Sequence, residues 1–418
     1  MHRGQYCLLA VLFVSLLFPH LLLSQAPAPA PPVAISGQIR LRTEIDDRRL
    51  SADEAVLVHL LRTRLRATAR PLSWLTIVAE IQDSRYLGSG NPSNARGTTD
   101  PSADGLDMHQ AWGQIDSVFN LPIDLRFGRQ PLSFANERLV GVSNWSNAGR
   151  VFDGARATLH QPDLAVDLWA TRLTAPSAGP TESQNFYGLW GNWQPSSDLS
   201  LDLFLLRDDN TRMIRRGEDS GAAMLQRNTF GTFFKTGFGM FGLELEGAGQ
   251  VGDVASNDTV QRKSIQAFLA SATLWATLDE ASKTRLSLLG VVLSGDGAPG
   301  DDRNEAFNTV FGTNHKPYGT IDYVPDLSGS LGLVDMSANV ASAPVKGLRM
   351  LLEGHYFLPQ RIASDPFGSE VDLTVSWRSA APFELSGGFS VFLPGESLKA
   401  RIGEDPRYWG FIAGQWDF

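Results

Sequence analysis

The sequence predicts an all-β chain: a transmembrane up-and-down antiparallel β-barrel of about 18 strands, preceded by a signal peptide. Three observations predict it. Hydropathy alternates with a period of two as far as the last residues. The connections between alternating segments are short and long in turn. Arginine occupies every second position in "HLLRTRLRAT", residues 59–68. A period of two belongs to strands, whose successive side chains point to opposite faces. No long segment carries the i, i+3, i+4, i+7 pattern of an amphipathic helix.

The first element, residues 1–26, joins Arg3 to an apolar run from Leu8 to Leu23 interrupted by Pro19 and His20, and reads as a secretory signal peptide. Ser24-Gln25-Ala26 is the most suitable cleavage site, although Pro27 hinders a cut directly after it. A proline-rich linker, 27–35, leads into the barrel, 36–418. The single cysteine, Cys7, lies inside the signal, so the mature chain depends on neither an oxidising nor a reducing compartment.

Strands follow near 37–46, 57–69, 74–83, 108–116, 122–128, 150–160, 164–172, 185–193 and 199–206. The second half continues with 226–235, 240–250, 265–276, 284–293, 330–340, 347–357, 370–378, 383–392 and 407–418. Most match the ~9–11 tilted residues that span a bilayer's hydrocarbon. Short turns are expected at 70–73, 161–163, 194–198, 279–282, 342–347 and 379–382. Long polar loops are expected at 84–106, 129–149, 173–184, 207–225, 251–263, 294–328, 359–369 and 393–406. In an up-and-down meander every second connection lies at the same end. The alternation therefore collects short turns at one rim and long loops at the other, as outer-membrane barrels do.

That setting decides the arginines. On the lipid face an arginine at the bilayer midplane costs about 2–4 kcal/mol, and three of them would exceed much of a fold's net stability. Arg62, Arg64 and Arg66 are therefore expected in the lumen, and Arg40, Arg42 and Arg126 by the same argument. Glu44, Glu80, Asp124, Glu244, Glu246, Asp372 and Glu384 share that interior, which must be hydrated.

Other functions fit poorly. A formal charge of −9 argues against nucleic acid as a partner. His59, His109, His160, His315 and His355 lack any metal-protease or paired-cysteine context, and "GVSNW" around Ser143 lacks the second glycine of a nucleophile elbow. No enzyme, cofactor or bound metal is expected. The acidic loop 295–305 offers Asp296, Asp301, Asp302 and Glu305 but not the spacing of a calcium loop. The aromatics near strand ends, Trp74, Trp112, Trp169, Trp190, Trp193, Tyr356, Trp377, Tyr408 and Trp409, are girdle or lumen residues. The expected partners are outer-membrane lipid and lipopolysaccharide, and the outer-membrane assembly machinery through Phe418, which closes an alternating aromatic strand.

Residues 128–156, "GRQPLSFANERLVGVSNWSNAGRVFDGAR", resemble the alginate-export family of outer-membrane barrels. The likeness rests on Gly128, Arg129, Gln130, Glu137, Arg138, Gly141, Trp145, Gly149, Arg150, Phe152, Asp153, Gly154 and Arg156. "EIQDSR" at 80–85 and the segment 294–322, with Gly295-Asp296, Phe307 and Gly319 to Asp322, extend it. The resemblance implies an eighteen-stranded barrel in the bacterial outer membrane whose arginine-rich lumen passes an anionic uronate polymer. It adds Arg129, Arg150 and Arg156 to the expected lumen arginines. The chain is expected to be a porin-like channel for anionic or small hydrophilic solutes, with export of an anionic exopolysaccharide as the alternative.

Overall fold

The computed structural model describes residues 33–48, 55–87, 105–173, 184–210, 222–256, 262–298, 300–315, 317–361 and 365–418. The expected signal peptide, and all of the linker before Val33, lie outside the described residues, as do parts of several long loops.

Two-residue alternation becomes wall strands throughout: β1 (Ala34–Asp46), β2 (Val56–Leu72), β3 (Leu75–Leu87), β4 (Gly105–Ile115), β5 (Ile123–Gln130), β6 (Phe152–His160), β7 (Leu164–Leu173), β8 (Gln184–Ser196) and β9 (Leu199–Asn210). They continue as β10 (Ala222–Phe238), β11 (Phe241–Ser256), β12 (Arg262–Asp279) and β13 (Thr284–Leu293). After the two-residue β14 (Arg303–Asn304) come β15 (Leu333–Ser342), β16 (Leu348–Leu358), β17 (Gly368–Arg378), β18 (Phe383–Pro394) and β19 (Arg407–Asp417). A short helix, α1 (Glu396–Ile402), lies between the last two strands. Each long strand pairs antiparallel with its neighbours, while β14 only touches β12 in parallel. β1 pairs with β19 from Gln38↔Asp417 to Asp46↔Trp409, which closes an eighteen-strand barrel.

The period of two also decides inside from outside. On β1, Ile39, Leu41 and Ile45 are 41–48% exposed, whereas Arg40, Arg42, Glu44 and Asp46 are at most 7% exposed. A wall with its apolar residues outward and its charges inward is the inverse of a soluble sheet, and it is stable only against lipid. Shifting one strand by one residue would exchange the two faces, so the hydropathy pattern fixes the register. Near the short-turn end, Trp74, Trp193, Trp377 and Trp416 face outward as an aromatic girdle, while Trp169, Trp190 and Trp409 are buried on the inner side.

Two of the expected long polar loops differ from the sequence reading. Segment 131–149 and the described residues of 294–332, apart from the exposed stretch around 300–303, do not stand clear of the rim but fold back into the barrel, where they form an apolar core of their own. Leu132, Phe134, Leu139, Val140, Phe307, Phe311, Tyr318, Ile321, Tyr323 and Val324 are all buried. They pack on inward wall residues such as Trp169, Phe186, Trp190 and Phe204. Burial of apolar surface at about 25 cal/mol per Å² holds them there.

Candidate functional site: the occluded lumen

Segment 131–149 crosses the lumen from one wall to the other. At its start Phe134 stacks on Trp169 of β7 and Trp190 of β8, with ring centroids 4.7 and 4.9 Å apart. Next, Arg138 Nε pairs with Glu246 Oε2 of β11 at 2.8 Å, and Asn136 Nδ2 donates to the same oxygen at 3.0 Å. Trp145 then reaches the opposite wall, where it meets Trp409 and Phe411 of β19 edge-on and lies under the Arg42 guanidinium at 4.1 Å. Ala135, Glu137 and Ser143 all take positive φ. These left-handed turns bend the segment out of strand geometry.

Segment 294–332 pairs with it. Val140 and Phe311 form a parallel bridge, Phe311 N donates to Leu139 O at 3.0 Å, and Thr313 N donates to Glu137 O at 2.9 Å. The two main chains approach so closely that a Cβ on Gly312 would lie 2.1 Å from Arg138 O. The second segment is tied to the wall as well. Gln250 of β11 exchanges hydrogen bonds with the Asn308 backbone at 2.7 and 3.0 Å. Glu370 of β17 accepts from Thr320 N and Ile321 N at 2.6 and 2.8 Å.

The arginines predicted for the lumen separate into distinct groups. Four of them latch the crossing segment by its carbonyl oxygens. Arg40 donates to Asn144 O and Ser146 O at 3.0 Å each, and Arg42 to Trp145 O at 2.6 Å. Arg62 donates to Asn144 O at 3.1 Å and Arg64 to Ala148 O at 3.2 Å. Arg42 also pairs with Glu44 at 2.7 Å. Among the described residues Arg40, Arg62 and Arg64 have no carboxylate partner, and Arg40 Nε and Arg42 Nη2 are buried without a hydrogen-bond acceptor. A buried guanidinium satisfied by neutral carbonyl and amide oxygens has no counter-charge in direct contact.

Arg66 and Arg126 lie nearer the short-turn end and remain half-exposed. Arg66 Nε pairs with Glu80 at 2.7 Å, while Arg126 binds Gln114 Oε1 at 2.6 Å and lies 4.1 Å above the Trp112 ring. Arg156 faces inward too, paired with Asp167 at 2.7 Å. Arg150 is not a wall residue. It clasps the two crossing segments, donating to the carbonyls of Gly141, Phe311 and Gly312. Enclosure there pulls its guanidinium down to about 10, partly opposed by the Glu137 charge.

Arg129 is a correction. It pairs with Asp153 at 2.7 Å, and register places both in the outward set that contains Phe127 and Ala155. It therefore faces away from the lumen.

Sequence reasoning missed two groups. Arg48, fully buried, pairs with Asp46 at 2.9 Å and donates to Thr320 O and Ile321 O at 3.2 and 3.0 Å. Lys235 and Arg285 flank the inward Trp275 at 5.5 and 5.2 Å, and the odd-numbered face they share with inward residues was the available signal for them. The histidines are also absorbed: His355 bonds Asp335 at 3.1 Å, and His315 bonds Asp322 at 2.9 Å while stacking on Trp145. In the acidic loop, Asp301 accepts from Arg303 N at 2.8 Å, and Glu305 pairs with Arg361.

Comparison with known proteins agrees with this architecture. A family model described as alginate export matches residues 32–328. No curated protein sequence matches significantly. Among solved structures, a BenF-like porin from Pseudomonas fluorescens Pf-5 superposes with a TM-score of 0.63 at 9% identity, covering 92% of this chain and 98% of that one. Pseudomonas aeruginosa OccK9 (OpdG) gives 0.63 at 11% identity, covering 92% and 98%. P. aeruginosa OccK2 (OpdF), solved in complex with glucuronate, gives 0.60 at 11% identity, covering 94% and 99%. At such identities the likeness is one of fold.

Proposed function

The chain belongs to the alginate-export family and forms a channel in the bacterial outer membrane, and from that premise we propose that it conducts anionic hydrophilic solutes of the uronate type. The observation that carries this reading is the latch of Arg40, Arg42, Arg62 and Arg64, where among the described residues three guanidinium groups bond only neutral acceptors, the main-chain carbonyls of the crossing segment and the side-chain amides of Gln38, Gln82, Asn144 and Asn147. A carboxylate is a stronger acceptor than a carbonyl and fits a guanidinium in a planar, bidentate way. An anionic sugar reaching this level competes for donors that now hold the crossing segment. Arg66 and Arg126, half-exposed toward the short-turn end, give the solute further weak stations, as conduction without trapping requires. The fold neighbour that holds glucuronate supports this choice of solute class.

Small solutes suit this lumen better than a polymer. The two crossing segments are bound to each other and to walls on several sides, so a wide path needs all these ties released together. Export of an anionic polysaccharide, which the family favours, remains the second reading and requires that wholesale release.

Single-channel recording in planar bilayers tests the proposal. We expect anion-selective conductance that glucuronate oligomers block, and loss of both selectivity and block in Arg62→Gln/Arg64→Gln. A wild-type channel without anion preference or block would overturn it.

A further inference from the structure

The outer wall of the barrel carries a feature that channel function does not use. Reading the register across β5 to β10 on the lipid face, Arg129, Asp153, Arg172, Asn185, Asp209 and Gln226 stand side by side in one row. All belong to the outward set, and the row lies toward the long-loop end. One step toward the membrane centre, β5, β6, β7 and β8 carry only Phe127, Ala155, Ala170 and Tyr187, while β9 carries Arg207. On β5 to β7 the lipid face thus changes from apolar to charged within one residue, which marks the boundary of the hydrocarbon.

Below that boundary lies a groove. Ala155, Ala157 and Ala170 form its floor between larger side chains such as Phe127, Leu168 and Leu205, and it encloses about 490 Å³. Its upper end is not apolar, because Tyr187, Arg207 and Asn228 line it there. Arg207 is held by Asp209 through Nε and Nη2 at 3.1 and 3.0 Å, and among the described residues its Nη1 makes only a long 3.5 Å contact with Asn228. Arg129 is held similarly by Asp153 through Nε and Nη2. The carboxylates keep these guanidinium groups spread along the wall, at the height of lipid headgroups.

We propose that this groove is a specific site for a phosphorylated glycolipid of the outer leaflet, of the lipid A type. One acyl chain lies along Ala155, Ala157 and Ala170, and a phosphate meets Arg207. An apolar trough ending in a guanidinium, a phenol and an amide complements an amphiphile with an anionic head, and guanidinium pairs with phosphate in a charge-assisted way. The position selects the leaflet, because long loops mark the outer side of such barrels. A surface between copies of this chain would not need its polar groups confined to the headgroup end.

The test uses refolded full-length protein in detergent, incubated with diphosphoryl hexa-acyl lipid A and analysed by native mass spectrometry. Ala155→Leu/Ala170→Leu fills the groove, Arg207→Gln removes the guanidinium, and Ala272→Leu, also outward but on β12, is the control. Heat-modifiable migration and unchanged conductance certify that each variant has folded. We expect retained lipid A in wild type and control, and its loss on filling the groove. Arg207→Gln should weaken retention about tenfold, the order expected for a charge-assisted hydrogen bond, while leaving dephosphorylated lipid A unaffected. Equal retention in every variant would overturn the proposal, as would equally tight binding of phosphatidylglycerol. A wild-type oligomer that dissociates when the groove is filled would instead make this face an interface between copies.

Discussion

A Cβ on Gly141 would lie 2.3 Å from Thr313 Oγ1 and 2.8 Å from Glu137 Cβ. Gly141→Val therefore forces the two crossing segments apart. Overpacking of this kind costs about 1–3 kcal/mol, but none of it falls on the wall, which is hydrogen-bonded independently. The expected outcome is a folded barrel, recognised by its heat-modifiable migration, whose single-channel current is noisier and larger than that of wild type. Arg40→Ala with Arg62→Ala acts from the other side, removing donors to Asn144 O and Ser146 O. The segment 144–148 should then become cleavable by protease added to the folded protein, where wild type resists. These residues also show what the sequence makes legible. The energetic argument against arginine in lipid places Arg40, Arg42, Arg62, Arg64 and Arg66 inward. What they hold cannot be read from it, because main-chain carbonyls carry no residue identity. The same argument weakens toward the membrane interface, where an outward arginine costs about 0–1 kcal/mol, and that is why Arg129 could settle on the outer face.

Along a strand, the alternation of faces converts directly into stability. On β9 Leu203 and Leu205 point to lipid while Asp202 and Phe204 point inward. Leu203→Arg is expected to destabilise the barrel by about 2–4 kcal/mol, measured by urea titration of folding into lipid vesicles. A stability unchanged within error would mean that this face of β9 does not meet hydrocarbon. Strands were the most legible elements, since a two-residue period survives every local variation in composition. β12 runs beyond its expected bounds through mainly polar ends, Arg262 to Ser264 and Thr277 to Asp279, and β10 through Met224 and Leu225 at one end and Thr236 to Phe238 at the other. The segments 131–149 and 294–332 were legible as connections but not as lumen fillers. Their apolar residues follow no period, being placed by left-handed turns and by each other, so hydropathy counts them as ordinary long loops.

For the barrel as a whole, wall and filling are separable. Replacing residues 132–148 with a short Gly/Ser linker should leave a folded barrel, because every wall strand keeps both neighbours. Conductance should rise severalfold, and anion preference should weaken with increasing salt as the exposed guanidinium groups are screened. An unfolded product would show that the filling is a folding core rather than an occlusion. One contact of that filling has a mechanical side. β1 and β19 are wall neighbours that are not consecutive in sequence, so non-covalent contacts alone close the barrel's joint. Trp145 grips both, with Arg42 of β1 over its ring and Trp409 and Phe411 of β19 at its edges. The occluding segment thus acts as a rivet through the seam. A cylinder built this way cannot be riveted until it has been rolled shut, so the Trp145 end of the crossing segment finds its seat only when the first and last strands have met.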